Sequence, residues 1–134
     1  MSDDVFFDTN ILLYLLTDDP VKASRSDELV AMGGVISVQV LNEFTSIATR
    51  KFKLPWAVVR ESLVALRGNL RIIPVTIDIH DRGLTLAETH RFALYDAMIV
   101  AAAITADCKL LYSEDMQHGR VIEGLTIRNP YSGA

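Results

Sequence analysis

The chain has 134 residues, half of them hydrophobic, with a formal net charge of −4 and a single cysteine. This length is typical of one domain, so residues 1–134 are expected to form a single domain, and the hydrophobic content excludes intrinsic disorder of the whole chain. The acidic balance excludes a broad basic coat for nucleic acid, and the lone Cys108 excludes a disulfide scaffold or a cysteine-based zinc site.

Short apolar runs that end at polar, glycine or proline residues predict an alternation of strands and helices. In the first half of the chain the predicted elements are strand 5–7 ending at Asp8, helix 11–16, helix 20–32, strand 35–36 and, after the capping residue Ser37, helix 38–51. In the second half they are helix 55–67, strand 70–75, a helix from Thr76 or Asp78 into the 80s, helix 96–106, strand 109–112 and strand 125–127.

This alternation predicts an α/β fold with a parallel sheet and helices on both of its faces. In such folds, ligands bind beyond the carboxyl ends of the strands, at the point where the strand order reverses. Polar residues that directly follow the predicted strands are therefore the first candidates for a functional site.

Four acidic residues lie in apolar surroundings or close behind predicted strands: Asp8, Glu43, Asp96 and Asp115. A parallel sheet would bring them to one edge, where each pair of like charges about 4 Å apart costs on the order of 4 kcal/mol at an effective dielectric near 20. A divalent cation relieves this repulsion, and carboxylate oxygens suit Mg²⁺ or Mn²⁺. The pattern predicts a metal site that supports in-line attack of water on a phosphodiester.

Each of these residues also has a purely structural interpretation. Asp8 and Asp96 could cap helices, Asp115 could stabilise a turn, and Glu43 could be a solvated or ion-paired helix residue. Taken singly, the structural interpretation is favoured, whereas the shared placement of all four favours the metal site. His118 could add a nitrogen ligand, but a surface or outer position is favoured for it.

Four segments together carry a resemblance to a known family: FDTNILLY at 7–14, NEF at 42–44, LYDAMIVAAA at 94–103 and LYSEDMQHG at 111–119. In these segments the chain resembles the PIN-domain ribonucleases, and among them the VapC toxins of bacterial and archaeal toxin–antitoxin pairs. The resemblance extends from Val5 to about Pro130. It implies a PIN-like three-layer α/β/α sandwich with a central, mostly parallel sheet of four to five strands.

The resemblance assigns catalysis and the binding of Mg²⁺ or Mn²⁺ to the same four acidic residues. Asn10 and Ser113 match polar positions that support the metal site in this family. The resemblance further implies an endoribonuclease that acts on RNA such as tRNA or rRNA, forms a homodimer, and is inhibited by a cognate antitoxin protein.

A basic segment is the candidate surface for RNA phosphates. Between Arg50 and Arg71 the chain carries six basic residues against one acidic residue, and it begins with Arg50, Lys51 and Lys53. The alternative is an ordinary solvated pair of helices. Trp56 in the same segment could stack on a base, although a tryptophan at the start of a helix is more often a core or dimer-interface residue.

The start of the chain and its longest apolar run bear on location. The chain begins with acidic residues where a secretory signal would be basic. Residues 97–104, the longest apolar run, are too few to cross a membrane. A cytoplasmic protein with no membrane partner is therefore expected.

Other functions compatible with clustered aspartates remain as alternatives. A phospho-acceptor receiver module needs an acidic pair after its first strand and a lysine after its fifth, but Thr9 and Asn10 follow Asp8 and no lysine lies beyond Lys109. A haloacid-dehalogenase type phosphatase needs Asp-x-Asp, and Asn10 occupies the second position. A PIN-like nuclease acting on DNA flaps is a third alternative, but RNA is preferred because the short chain lacks room for extra elements that grip DNA. A PIN fold used only as a binding scaffold is the fourth, and the complete acidic quartet argues against it.

Overall fold

The computed structural model describes residues 3–132, which contain six strands and six helices. The strands are β1 (Val5–Phe7), β2 (Val35–Ser37), β3 (Arg71–Ile73), β4 (Leu110–Tyr112), β5 (Val121–Ile122) and β6 (Leu125–Arg128). The helices are α1 (Thr9–Leu13), α2 (Pro20–Ala31), α3 (Val38–Arg50), α4 (Trp56–Asn69), α5 (Ile77–His90) and α6 (Leu94–Thr105), and a 3-10 turn (Tyr14–Leu16) follows α1.

The strands form one sheet in the order β3-β2-β1-β4-β6-β5. All neighbouring strands are parallel except β5, which runs antiparallel to β6. From β1 the chain builds β2 and β3 on one side and then returns to β4 on the other side of β1. The strand order therefore reverses between β1 and β4, and the carboxyl ends of these two strands frame the ligand-binding crevice of such a fold.

Helices cover both faces of the sheet, as the predicted α/β sandwich requires. Helices α1 to α4 pack among themselves, and α5 packs against α6. Every residue from Ala97 to Ala103 on α6 is buried, which explains why that stretch is apolar on all sides. Gly83 on α5 permits the close approach of α6, because a Cβ at this position would lie 2.6 Å from the sulfur of Met98.

The strand β3 is shorter than the predicted strand 70–75. The Leu70 N–H still donates to the Leu66 carbonyl at the end of α4, at 3.0 Å. Pro74 has no N–H with which to continue the ladder. The regular pairing is therefore confined to Arg71–Ile73.

The sheet has six strands rather than the expected four to five, because β5 was missed. It pairs with β6 through a two-residue turn in which Glu123 and Gly124 have φ of 49° and 86°. Two positive φ values are typical of a type I′ hairpin turn, which usually carries Asn-Gly or Asp-Gly. Glu123 replaces the expected Asn or Asp, so the turn has a weak sequence signal.

Other departures concern helix ends and one aromatic residue. The predicted helix 11–16 divides into α1, which begins at Thr9, and the 3-10 turn, while α4 continues through Gly68. Trp56 is 62% exposed at the start of α4, so the core interpretation is wrong, while the dimer-interface and base-stacking interpretations are untested. No helix within residues 3–132 has the length and apolar character needed to cross a bilayer.

Candidate active site

Asp8 is buried at the carboxyl end of β1, where the chain turns into α1. Its Oδ1 accepts a hydrogen bond from the Thr9 N–H at 2.7 Å, so the predicted capping role is confirmed. Its Oδ2 accepts from the Ser113 hydroxyl at 2.7 Å and from the Asn10 amide at 3.3 Å. The two polar residues selected beside the acidic quartet therefore both contact this carboxylate.

The charged form of Asp8 is disfavoured in its surroundings. Burial raises the pKa of Asp8 from 3.8 to about 7, against the opposing effect of the hydrogen bonds from Ser113 and Thr9. The negative charges of Asp96 and Glu43 raise the pKa of Asp8 further. A cation in this position would stabilise the charged carboxylate, because it would remove the repulsion and replace lost solvation.

Glu43 projects from α3 and is held by two side chains. The Thr9 hydroxyl donates to its Oε1 at 2.6 Å, and the Gln39 amide donates to its Oε2 at 3.3 Å. The Gln39 amide also donates to the carbonyl oxygen of Tyr95 at 3.0 Å, which ties α3 to the start of α6. Sequence reasoning missed Thr9 and Gln39, although Gln39 precedes Glu43 by four residues, a spacing that places both on one helix face.

Asp96 lies half-buried in the first turn of α6. The N-cap of α6 is Ala93, which provides no capping side chain, so the interpretation of Asp96 as the N-cap is wrong. Burial raises the pKa of Asp96, and the charges of Asp115 and Glu43 add to the rise. Within residues 3–132 its carboxylate accepts no hydrogen bond, which leaves its oxygens available to a ligand in the cleft.

Asp115 follows β4 in an exposed turn and is joined to Asp8 through Asn10. The Asn10 amide nitrogen donates to Asp115 Oδ2 at 3.0 Å and to Asp8 Oδ2 at 3.3 Å. The amide oxygen of Asn10 accepts from the Glu114 N–H at 3.2 Å. One side chain thus connects the loops that follow β1 and β4, the two strands that frame the crevice.

A second cluster anchors the turn of Asp115 from its outer side. Glu114 accepts a hydrogen bond from the Tyr14 hydroxyl and forms an ion pair with Lys22. The Lys22 ammonium lies 4.8 Å from the centre of the Tyr14 ring and 5.3 Å from that of Tyr131. Burial alone would raise the pKa of Glu114, but its bonds to Lys22 and Tyr14 lower it. Sequence reasoning missed this cluster because no spacing relates α2 to the turn after β4.

The four predicted carboxylates line one cleft of about 460 Å³, named here the carboxylate cleft. They come from four separate elements: the β1–α1 junction, α3, α6 and the turn after β4. Lys51, which follows α3, is a basic residue that lines the same cleft. The sheet edge thus brings together the four acidic residues selected from the sequence.

The donor set of the carboxylate cleft fits a hard divalent cation. Within residues 3–132, no three His, Cys, Asp or Glu side chains already lie close enough to hold one ion together. Mg²⁺ usually keeps several waters and takes only one or two carboxylates from the protein, so a looser arrangement suits it. His118 lies away from the cleft, since it is exposed and its Nδ1 accepts the Asn129 N–H at 2.9 Å.

The three basic residues selected from the sequence fall in different places. Lys51 lines the carboxylate cleft, whereas Arg50 lines an adjoining groove of about 960 Å³, named here the side groove. Glu43 and Ser46 line both depressions and separate them. Lys53 is exposed and lines neither depression.

Fold and cleft together define an α/β sandwich with an acidic site at the reversal of strand order. Residues 5–123 match the PIN domain family, and the chain belongs to that family. No curated protein sequence matches the chain.

Solved structures share this fold at low sequence identity. A toxin–antitoxin complex from Klebsiella pneumoniae contains a chain that is 23% identical, with a TM-score of 0.73 over 95% of this chain and 98% of that one. VapC20 from Mycobacterium tuberculosis, a sarcin–ricin loop cleaving toxin, is 19% identical, with a TM-score of 0.68 over 83% of this chain and 89% of that one. VapBC2 from Rickettsia felis, bound to a DNA fragment from its promoter, contains a chain that is 21% identical. Its TM-score is 0.68, over 93% of this chain and 97% of that one.

Proposed function

We propose that this chain is a divalent-metal-dependent endoribonuclease and the toxin of a VapBC-type toxin–antitoxin pair. The observation that carries the proposal is the convergence of four carboxylates, from four separate elements, on the carboxylate cleft. Membership of the PIN domain family and a fold shared with VapC toxins support the same function.

Asp8, Glu43, Asp96 and Asp115 would hold Mg²⁺ or Mn²⁺, one or two of them directly and the others through bound water, since carboxylate oxygens are the ligands these ions prefer. When bound, the ion supplies positive charge that makes water more acidic and stabilises negative charge on the phosphate under attack.

The chain's own side chains prepare these carboxylates for that role. The Ser113 hydroxyl and the Asn10 amide orient Asp8, and the Thr9 hydroxyl orients Glu43, through the hydrogen bonds described above. Because these donors hold the carboxylates before a ligand binds, little reorganisation is required when the phosphate arrives.

RNA is the proposed substrate class. The Lys51 side chain beside the carboxylates can contact a phosphate of the backbone, which positions nucleic acid without reading its sequence. The description of the Mycobacterium tuberculosis neighbour as a sarcin–ricin loop cleaving toxin supports RNA, and tRNA or rRNA are the candidates. A cytoplasmic location, where such RNA occurs, is part of the same proposal.

An antitoxin protein and a second copy of the chain are the proposed partners. Structural neighbours from Klebsiella pneumoniae and Rickettsia felis are toxin–antitoxin assemblies, which supports a cognate antitoxin. The homodimer is proposed from the family resemblance, and light scattering of the purified chain tests it.

The decisive experiment is cleavage of total cellular RNA by the purified chain, freed of any antitoxin, in Mg²⁺, in Mn²⁺ and in EDTA. We expect discrete products that disappear in EDTA and in the Asp96→Asn variant. Asp107→Asn is the matched control, because Asp107 is exposed beyond the end of α6 and its φ of 60° is one that asparagine tolerates.

Two results would count against the proposal. Full activity of Asp96→Asn, with the same products as the wild type, would show that the carboxylate cleft is not the active site. A folded chain that binds Mn²⁺ and cuts no RNA would favour the binding-scaffold interpretation.

A further inference from the structure

The side groove adjoins the carboxylate cleft but differs from it in chemistry. It runs between the start of α3, the segment after β3 and the first turn of α6. Val38, Val75 and Met98 give it apolar walls, and it opens toward the cleft at Glu43 and Ser46. Its volume of about 960 Å³ lies near the top of the range, about 300–1,000 Å³, of pockets that bury small organic ligands.

Tyr95 is the large aromatic residue of the side groove and is 66% exposed. It directly precedes Asp96, one of the carboxylates of the cleft. The Gln39 amide holds the Tyr95 carbonyl oxygen at 3.0 Å, so the backbone is anchored while the ring remains open to solvent. An exposed ring on an anchored backbone is a stacking surface for a planar ligand.

The polar residues of the side groove match a nucleotide. The Asn42 side chain is exposed and makes no hydrogen bond within residues 3–132, so its amide can both donate to and accept from the edge of a base. Arg50 lines the groove, and the next residue, Lys51, lines the cleft. This consecutive basic pair provides phosphate contacts on both sides of the boundary between the two depressions.

We propose that the side groove is a nucleobase subsite for the RNA segment next to the cleaved phosphate. An unpaired base would stack on Tyr95, present its edge to Asn42 and have its phosphate contacted by Arg50. The inference rests on the proposed ribonuclease function and adds the residues that determine sequence preference.

RNA is the occupant that the lining favours. A purely apolar partner would make no polar contact with Arg50 or Asn42. A nucleotide can stack on the Tyr95 ring, hydrogen-bond to the Asn42 amide and place its phosphate beside Arg50. The groove is also continuous with the cleft through Glu43 and Ser46, so a strand bound in one extends directly into the other.

The first test measures binding of a short, labelled, single-stranded RNA of mixed sequence by fluorescence anisotropy. All variants carry Asp8→Asn so that the RNA is not cleaved. We expect Tyr95→Ala to weaken binding about 5- to 150-fold, the range for loss of one base–aromatic stack. Tyr95→Phe, which keeps the ring, and Met32→Ala, which removes a large side chain of similar exposure outside both depressions, should bind as the parent does.

The second test maps cleaved RNA ends in the wild-type background. We expect Tyr95→Ala and Asn42→Ala to relax the preference for one base beside the cut and to raise KM more than they lower kcat. Unchanged affinity and unchanged cleavage pattern in Tyr95→Ala would overturn the subsite while leaving the nuclease intact.

Further outcomes separate this inference from the function on which it rests. Tyr95-dependent RNA binding by a chain that cuts no RNA would refute the nuclease and retain the subsite. If Tyr95→Ala instead changes the oligomeric mass by light scattering and leaves RNA affinity unchanged, the groove is a contact between copies and the subsite is overturned.

Discussion

The carboxylate cleft and the side groove lie side by side on one edge of the sheet, yet they differ in how deeply their charged and polar side chains are buried. In the cleft, Asp8 is buried among other carboxylates and burial raises its pKa to about 7. In the side groove, Tyr95 and Arg50 are exposed, and the carboxylate that lines it, the half-buried Glu43, is shared with the cleft.

This difference in burial matches two roles: the proposed chemical step in the cleft and the proposed recognition of RNA in the side groove. Buried like charges reduce the stability of the folded state and are retained where a site needs them. Substitutions that remove a carboxylate from the cleft should therefore lower activity and raise stability. Exposed groove residues contribute little to stability, so their substitution should change RNA binding alone.

The largest expected effect is the loss of cleavage in Asp8→Asn. Removing one charged ligand of the proposed metal site should lower kcat/KM about 1,000-fold, since such charge stabilisation is worth several kcal/mol. The measurement is cleavage of a defined RNA chosen from the mapped sites, with Asp107→Asn as the control. Activity of Asp8→Asn within about tenfold of the wild type at saturating Mg²⁺ would contradict the assignment.

The same substitution should raise stability in the absence of metal. Because the pKa of Asp8 is raised from 3.8 to about 7, the native state holds a proton that the unfolded state releases between these values. Stability from this group is therefore fully present below pH 4 and is lost as pH rises toward 7. The asparagine side chain of the variant does not titrate, so the stability of Asp8→Asn relative to the wild type should increase by about 2–4 kcal/mol from pH 4 to pH 8.

Urea unfolding at several pH values measures that increase. Adding Mg²⁺ should raise the Tm of the wild type above pH 7 and have a smaller effect on the variant, since ligand binding stabilises only the state that binds it. A stability difference that does not change with pH would show that the Asp8 carboxyl is not held protonated in the metal-free cleft.

A smaller loss of activity or metal affinity is expected when a residue that orients Asp8 is removed. Ser113→Ala deletes the hydroxyl that donates to Asp8 Oδ2 at 2.7 Å, and such outer partners usually contribute about 10- to 100-fold in activity or metal affinity. The Mg²⁺ concentration for half-maximal cleavage should rise in this variant. Ser24→Ala, at an exposed position on α2, is the control, and an unchanged Mg²⁺ requirement in Ser113→Ala would argue against the positioning role.

The smallest effect is expected at the rim of the side groove. Arg50→Gln should weaken RNA binding severalfold and lower the slope of log K against log salt by about 0.7, the value for one lost phosphate contact on a single strand. Lys109→Gln, exposed just before β4 and outside both the basic segment and the two depressions, should leave the slope unchanged. An equal decrease of this slope in both variants would indicate only a general effect of net charge on RNA binding.

The alternation of strands and helices and the positions of the acidic quartet were predictable from the sequence. Asp8 directly follows an apolar strand, and Asp96 interrupts an apolar helix, so each stands out in its local surroundings. The parallel arrangement follows from the strand–helix alternation, and it brings the carboxyl ends of the strands to one edge.

The partners of the quartet were only partly predictable. Asn10 and Ser113 were predicted from the family resemblance, and Gln39 could have been found from its spacing to Glu43 on α3. The hydrogen bond from Thr9 to Glu43 joins residues that are distant in the chain, and no local pattern encodes it. The same holds for the ion pair of Lys22 with Glu114.

Local sequence patterns predicted every strand except β5 and identified the acidic residues that lie in apolar surroundings, because backbone preference and hydrophobic periodicity are local properties. The packing of distant segments, which no local pattern encodes, makes Lys51 line the cleft and Arg50 the side groove, and leaves Trp56 exposed. It also decided how strongly burial disfavours the charge of Asp8. Desolvation and hydrogen bonding depend on every element packed around a group, so they are set only when distant segments meet.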